Sequence, residues 1–493
     1  MSLMVCQLYF KPIWRLSVFF LCLVLPLLSL GQQIPVEPLQ EDFQIMRHAL
    51  EEAHGGIYRY TSKAEMDRTF DQAYRRIDHP MTALEFWALV APVIAHIKDG
   101  HLFTYWPTNS VSQFKQLPAF PLTVRILDHR IFVYRDFSSG EHRLEGAEIL
   151  SINNVSANRI LKKMSTVLTG EDRSKSAAPY RIGNYDFFKW DLYDLFKMES
   201  PFNVEYRNSQ GKQKAVIVGK TFAELQAASA ARDPQPEVTA TLKFLDDGKI
   251  AVLTIRSFEQ YVDSKAKLTV HDFIQQSFER IHEKQSSSLI IDVRDNGGGL
   301  DAPGAQLFSY LCDQPFEYYT DKTINAREFD FYKYAPDAIP VPANRVVMKA
   351  DGKFHYHSDP GLGLQQPQQP HFGGKVFALM DGGSFSTTCE FLSMLPFHER
   401  GVLIGEEAAG GYYGCTCGFR INFTLPNSGV RVPLGMVTYY YAAADYKHAS
   451  RGMIPDYPVT HTIGDLLAGR DKDMELALSL ARASEKSKER KDR

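Results

Sequence analysis

The chain has 493 residues, 44% of them hydrophobic and 23% charged, with 33 Gly and 26 Pro. So much apolar material supports large buried cores and excludes disorder, collagen-like repeats and coiled coil as the main architecture. Lys and Arg number 55 against 58 Asp and Glu, a formal charge of −3, and no long basic run interrupts the body of the chain, which argues against a nucleic-acid partner.

The first predicted element is an export signal, residues 1–31. Lys11 and Arg15 precede an apolar run from Leu16 to Leu30, and the small residues Ser29 and Gly31 offer a cleavage site before Gln32. The run is shorter than the roughly 20 apolar residues of a spanning helix; an uncleaved anchor is the alternative. No other window is apolar enough to span a bilayer, so the expectation is an exported protein, periplasmic or extracellular, with no membrane span after signal removal. Beyond the signal the cysteines are Cys312, Cys389, Cys415 and Cys417, too few for a disulfide scaffold. Cys415 and Cys417 stand two apart, on one face of a strand but not at the spacing of a zinc knuckle, so no metal site is expected.

Three blocks follow. Residues 32–115 read as a helical subdomain, in which DFQIMRHALEEAH places Phe43, Met46, Ala49 and Leu50 on one face and MTALEFWALVAPVIAHI repeats apolar residues at three and four. Residues 116–222 change to short alternating strands (LTVRIL, RIFVYRDF, AEILSINN, FNVEYRN, KAVIVG) with one amphipathic helix at ANRILKKMSTVL. Within them LEGAEILSINNVSANRIL, residues 144–161, is similar to the turn, strand and helix start of PDZ domains. Its turn is Ile152-Asn153-Asn154, and Asn tolerates the left-handed backbone that Gly would otherwise supply. That similarity implies binding of an extended peptide by strand addition; a β-rich spacer without a ligand is the alternative. Residues 223–482 alternate strands and helices, the pattern of a mixed or parallel α/β sheet. From 321 to 374 they are interrupted by a long irregular stretch that reads as a functional or mobile cover. Residues 483–493 read as a charged, frayed tail.

The chemistry lies in the third block. SLIIDVRDNGGGL, residues 288–300, is a buried strand ending at Asp295-Asn296-Gly297-Gly298-Gly299, and consecutive glycines expose backbone N–H groups as an oxyanion site or anion cradle requires. No Gly-Lys-Ser/Thr follows, so it is not a P-loop. KVFALMDGGSFSTTCEFLSML, residues 375–395, is a second buried strand, a Gly382-Gly383 turn, and Ser384 and Ser386 at the mouth of a helix. A serine there either caps the helix or points its Oγ into a cleft as a nucleophile, with the following N–H as oxyanion donor.

Together these elements resemble the C-terminal processing (tail-specific) serine peptidases, which share a crotonase/Clp-protease-like fold with the tricorn core and retinoid-binding protein repeats. LIIDVRDNGGG matches the family's strand and glycine motif, and Phe385-Ser386-Thr387-Thr388-Cys389-Glu390-Phe391 matches its nucleophile motif. GVLIGEEAAGG (401–411) matches its Gly-Glu strand, and GMIPDYPV with GRDKDMELAL (452–478) its closing segment and last helix. The resemblance implies an α/β fold: a crotonase/Clp-protease-like catalytic domain, a PDZ-like β domain and an N-terminal helical subdomain. It implies Ser386 as the nucleophile, a peptide or protein substrate, and no cofactor.

The family's lysine position is occupied here by Gly411, which excludes a Ser-Lys dyad of that form. The tricorn-like branch instead draws a His from the region before the PDZ-like block. In IKDGHLF, His101 stands in that place, and a histidine titrating near neutrality can take the Ser386 proton and return it to the leaving amine. Where that branch carries a Glu, this chain has Ala449 and Ser450. The third residue is therefore open among Asp99, Glu406, Glu407 and Asp445, with Lys447 as a fallback base. The oxyanion donors expected are the N–H groups of Gly298 or Gly297 and of Thr387. Two other readings stay open: an inactive peptide- or ligand-binding homologue, and an α/β-hydrolase. The second is disfavoured because Gly382-Gly383-Ser384-Phe385-Ser386 lacks the second glycine of G-x-S-x-G. Cys389 falls one helical turn past Ser386 and is expected to face the core.

Overall fold

The computed structural model describes residues 32–107, 114–140, 143–184, 187–234, 236–412, 414–443 and 451–491. The expected signal, residues 1–31, and the candidates Asp445 and Lys447 lie outside the described residues. The third block is organised by a six-stranded sheet. Ser288–Asp292 lies inside it, flanked by Ile250–Ile255 and Lys375–Met380 in parallel register; Val402–Gly405 and Tyr457–Pro458 continue the parallel side, and Ala240–Leu245 closes the other edge antiparallel.

A parallel sheet is covered on both faces, which is why its strands read as unbroken apolar runs. Successive side chains alternate between the two covers. Leu289, Ile291, Ala378 and Met380 enter the larger core with the helices Val270–Glu283, Asp301–Ser309 and Thr387–Phe397. Ile290, Leu379 and Ile404 face the opposite way, onto Ala477 and Ala481 of the helix Lys472–Lys491. That helix runs on through the stretch expected to fray, and Arg482 on it pairs with Asp246 at 2.7 Å.

The helices of the first block form where the spacing predicts. Val36–Ala53 buries Phe43, Met46, Ala49 and Leu50; Lys63–Arg75 is capped by Ser62, and Ala83–Ala95 by a Thr82–Glu85 capping box. Their apolar face joins the larger core of the six-stranded sheet, a single cluster reaching from Leu39 to Met453. Polar ties reinforce the docking: the Asp42 carboxylate accepts from the Asn427 and Ser428 N–H groups at 3.1 and 2.7 Å, and Asn325 Nδ2 donates to the Glu52 carbonyl. This shared core carries the loop after Ala83–Ala95, and with it His101, onto the third block.

The middle block is an antiparallel sheet with its own core, built from Val124, Val133, Ile149, Val204 and their neighbours. Asn153 and Asn154 take φ of 48° and 63°, the left-handed turn anticipated for them, and the helix Ala157–Met164 follows. Two further helices follow, Ala177–Asn184 and Phe187–Phe196; the second is buried on several sides, from Phe188 to Leu192, and so loses the polar stripe that a sequence period would show.

The expectation of a loose cover over 321–374 is corrected. Tyr319–Ile324, Val346–Met348 and Phe354–Tyr356 join Val437–Tyr441 and Thr416–Gly418 in a five-stranded antiparallel sheet. Strands of three residues are too short for an alternation to show; distant partners make them strands. Lys322 is fully buried there and held at 2.7 Å by both Asp301 and Asp359.

Candidate active site

The turn that carries Ser384 and Ser386 is built on Asp381, just past the end of Lys375–Met380. Its carboxylate accepts the N–H groups of Gly383 and Asp295 at 2.9 and 2.8 Å, tying this turn to the glycine loop after Ser288–Asp292. Ser384 is buried and spent: its Oγ donates to the Val293 carbonyl at 2.8 Å and accepts the Asp381 N–H at 3.1 Å. Ser386 is different. It stands at the N-cap of Thr387–Phe397 with φ 57° and ψ −129°, a region that costs a side-chain-bearing residue strain, and its hydroxyl makes no capping hydrogen bond. The cap interpretation is thereby set aside. Cys389 is buried with its thiol donating to the Ser384 carbonyl, and burial raises its pKa, so it is no nucleophile.

The glycine loop meets Ser386 through Gly298. A Cβ on Gly298, whose φ is +100°, would stand 2.7 Å from Ser386 Cβ and 3.1 Å from the Thr387 nitrogen, so only glycine permits this approach. Gly297, by contrast, faces open space. The Gly298 N–H is already engaged, donating to Asn296 Oδ1 at 2.9 Å, while Asn296 Nδ2 donates to the Ile255 carbonyl. Thr387 is the first residue of its helix, so its N–H has no intrahelical acceptor.

His101 arrives from the opposite end of the chain. Lys98 takes φ 64° and turns the chain sharply after the helix, and the His101 N–H donates to Asp99 Oδ1 at 2.8 Å. The imidazole is only 5% exposed and lies against Phe385, with ring centroids 4.3 Å apart. Neither ring nitrogen has a hydrogen-bond partner among the described residues. Gly100 is needed because a Cβ there would meet the Phe385 ring at 2.7 Å. His101 Nδ1 is 3.8 Å from Asp99 Oδ1, and the other Asp99 oxygen is 3.4 Å from His54 Nε2. Glu171 closes the cluster, accepting from the Gly100 N–H at 3.0 Å and the Tyr60 hydroxyl at 2.7 Å.

The three titratable groups are driven apart. Burial pushes the Asp99 carboxyl up, but the His54 contact and the charges of His54, His101 and Arg59 outweigh it and hold it at about 2. Burial lowers His101 to about 3 against the pull of Asp99, with Arg420 and Arg181 adding to the drop, so the ring rests neutral. Burial and then the charge of Asp99 raise Glu171 to about 8. These three groups thus rest at neutral pH as one carboxylate, one neutral imidazole and one carboxylic acid.

Of the other acids proposed from sequence, Glu406 and Glu407 are not among the groups gathered around His101. They line a cleft of about 1020 Å³ with Arg294, Asp381 and His461, and Glu407 is paired with Arg451. Three residues of the cluster escaped sequence reasoning: His54, Tyr60 and Glu171. The only signal for His54 is its place before Gly55-Gly56, where a Cβ on either glycine would strike Thr438 or Thr416; Glu171 lies in an ordinary charged stretch.

Residues 249–459 match the model of peptidase family S41. They are an S41 peptidase domain. The match spans the sheet strands from Ile250–Ile255 to Tyr457–Pro458, both glycine turns and Ser386, and the chain is a serine-type peptidase. Mature CPAF complexed with lactacystin is similar in fold, with a TM-score of 0.63 at 14% identity over 91% of this chain and 98% of that one. Mature CPAF alone gives 0.60 at 14% identity over 90% and 96%. The photosystem II D1 C-terminal processing protease gives 0.41 at 13% identity over 86% and 93%. No match was found among curated proteins. The likeness to CPAF is one of fold, and it extends beyond the S41 domain to the helical and middle β blocks.

Proposed function

We propose that the chain is an exported endopeptidase of the C-terminal processing type, working through a Ser386 acyl-enzyme with His101 as general base. The observation that carries this reading is the strained, uncapped Ser386 between Gly298 and Thr387, with a buried, unpartnered histidine packed on the adjacent Phe385. Ser386 Oγ attacks the peptide carbonyl as its proton passes to the neutral imidazole. Asp99, held ionised, stabilises the imidazolium, and the proton then goes to the departing amine; water repeats the sequence on the acyl-enzyme.

The Thr387 N–H is the ready oxyanion donor. The Gly298 N–H becomes the second when it exchanges Asn296 Oδ1 for the developing oxyanion, a stronger, charged acceptor. Export rests on residues 1–31; among the described residues no helix is long and apolar enough to cross a membrane.

A fluorophosphonate serine probe followed by peptide mapping tests the nucleophile. Labelling of Ser386, lost in Ser386→Ala and slowed in His101→Gln, is expected. Failure to label the folded wild type, or undiminished hydrolysis by Ser386→Ala, would overturn the assignment and favour an inactive binding homologue.

A further inference from the structure

The two cysteines that sequence spacing dismissed as metal ligands are met in the fold by a third donor. Cys415 and Cys417 flank Thr416 where the pairing of Thr416–Gly418 with Val437–Tyr441 shifts register. In a regular strand, side chains at i and i+2 share a face roughly 6–7 Å apart. The irregularity draws these two thiols to an Sγ–Sγ distance of 3.0 Å. One ring nitrogen of His101, from the other end of the chain, lies with both sulfurs inside a sphere in which all three atoms are within 4.8 Å of one another. Both nitrogens of the buried His101 ring lack hydrogen-bond partners among the described residues, as do those of His54 beside Asp99.

We propose that His101, Cys415 and Cys417 form a site for a thiophilic divalent cation, zinc in the first instance, and that its occupancy switches the peptidase off. Zinc–sulfur bonds of about 2.3 Å and zinc–nitrogen bonds of about 2.0 Å place tetrahedral ligand atoms roughly 3.3–3.8 Å apart. The two sulfurs stand slightly inside that range and the imidazole nitrogen lies no more than 4.8 Å from either, so side-chain shifts of an ångström or so suffice. Imidazole and two thiolates select zinc over calcium or magnesium, which prefer oxygen. Binding proceeds as zinc(II) plus two thiols and a neutral imidazole, giving a neutral Zn(S)₂(N) centre and two released protons. A neutral product suits a buried pocket. One position remains open to water or substrate.

The inhibitory consequence rests on the reading of His101 as base. A neutral imidazole has one lone pair; once it is given to the metal, none is left for the Ser386 proton. The metal site itself does not depend on that reading, so it is tested where turnover plays no part.

The full chain carrying Ser386→Ala, kept reduced with a phosphine, is titrated with Zn²⁺ by calorimetry and with Co²⁺ by absorption. The expected result is one ion per chain, a thiolate-to-cobalt charge-transfer band, and about two protons released. Cys417→Ser, at the less buried of the two thiols, weakens binding on the order of 100-fold or more and reduces the band. Cys415→Ala combined with Cys417→Ala abolishes the band, with circular dichroism confirming the fold. Absence of stoichiometric binding, or a band that survives in the folded double variant, would overturn the site. On the active wild type, Zn²⁺ inhibits and a chelator restores hydrolysis; stoichiometric binding with unchanged turnover would overturn the switch, while a wild type without any turnover counts against the peptidase mechanism alone.

Discussion

Two of the buried charge clusters among the described residues are assembled on opposite principles. At the end of Ser288–Asp292, Asp292 accepts from Arg256 and Arg294 through both oxygens at 2.7–2.9 Å, and Arg294 reaches on to Asp471 and Asp473. Every charge there has a geometrically good partner, and the two arginines drive the Asp292 carboxyl far below the usual range in spite of its burial. Around His101 the reverse holds: both imidazole nitrogens are unbonded, and two carboxyls share one pocket with their pKa values pushed apart. A saturated network fixes architecture. An unsaturated one keeps a lone pair and a charge in reserve, a state that costs stability and persists where chemistry uses it.

The contrast is sharpened first at the nucleophile. Ser386→Ala should lower kcat/KM by roughly 10⁵–10⁶ while the melting temperature stays within a degree or two of wild type. His101→Gln should cost about 10²–10⁴ in kcat/KM, again with little change in unfolding by urea, because the ring makes no hydrogen bond to lose. A collapse of stability in either variant would erase the distinction between the clusters.

The saturated cluster should behave oppositely. Asp292→Asn leaves Arg256 and Arg294 without their anion and should destabilise the fold by about 3–5 kcal/mol at pH 7 in urea unfolding. The sign follows from the depressed folded pKa: the Asp292 contribution is complete above the ordinary carboxylate range near 4 and is lost as pH falls through the folded value. Wild type and variant should therefore converge in acid, and a gap that widened there would contradict the pairing.

The smallest effect is expected at Glu171. Burial and the Asp99 charge keep it protonated at pH 7, so Glu171→Gln should change kcat/KM less than about 10-fold there. As pH rises through about 8 the wild-type acid ionises beside the imidazole, and the wild-type profile should show an inflection that Glu171→Gln lacks. Superimposable profiles would reduce Glu171 to a packing role.

What the sequence alone determined is local or strictly ordered. The parallel strands are legible because both faces are covered and their central positions are apolar; the glycine loop and Ser386 are legible because their backbone demands leave few residue choices. The Asn153-Asn154 turn and the face of Val36–Ala53 follow from period and turn chemistry. What only the tertiary structure decided is partnership. The short strands within 321–374 exist through pairing with Val437–Tyr441, and Glu406 and Glu407 match the motif yet face another cleft. His54, Tyr60 and Glu171 reach the Asp99–His101 pocket only because the helical block, the middle block and the catalytic sheet pack together. Spacing along the chain likewise left Cys415 and Cys417 without a third ligand, and the fold places His101 beside them. Sequence period reports the environment of one element, whereas a site joined across hundreds of residues is fixed by a shared core that no local pattern encodes.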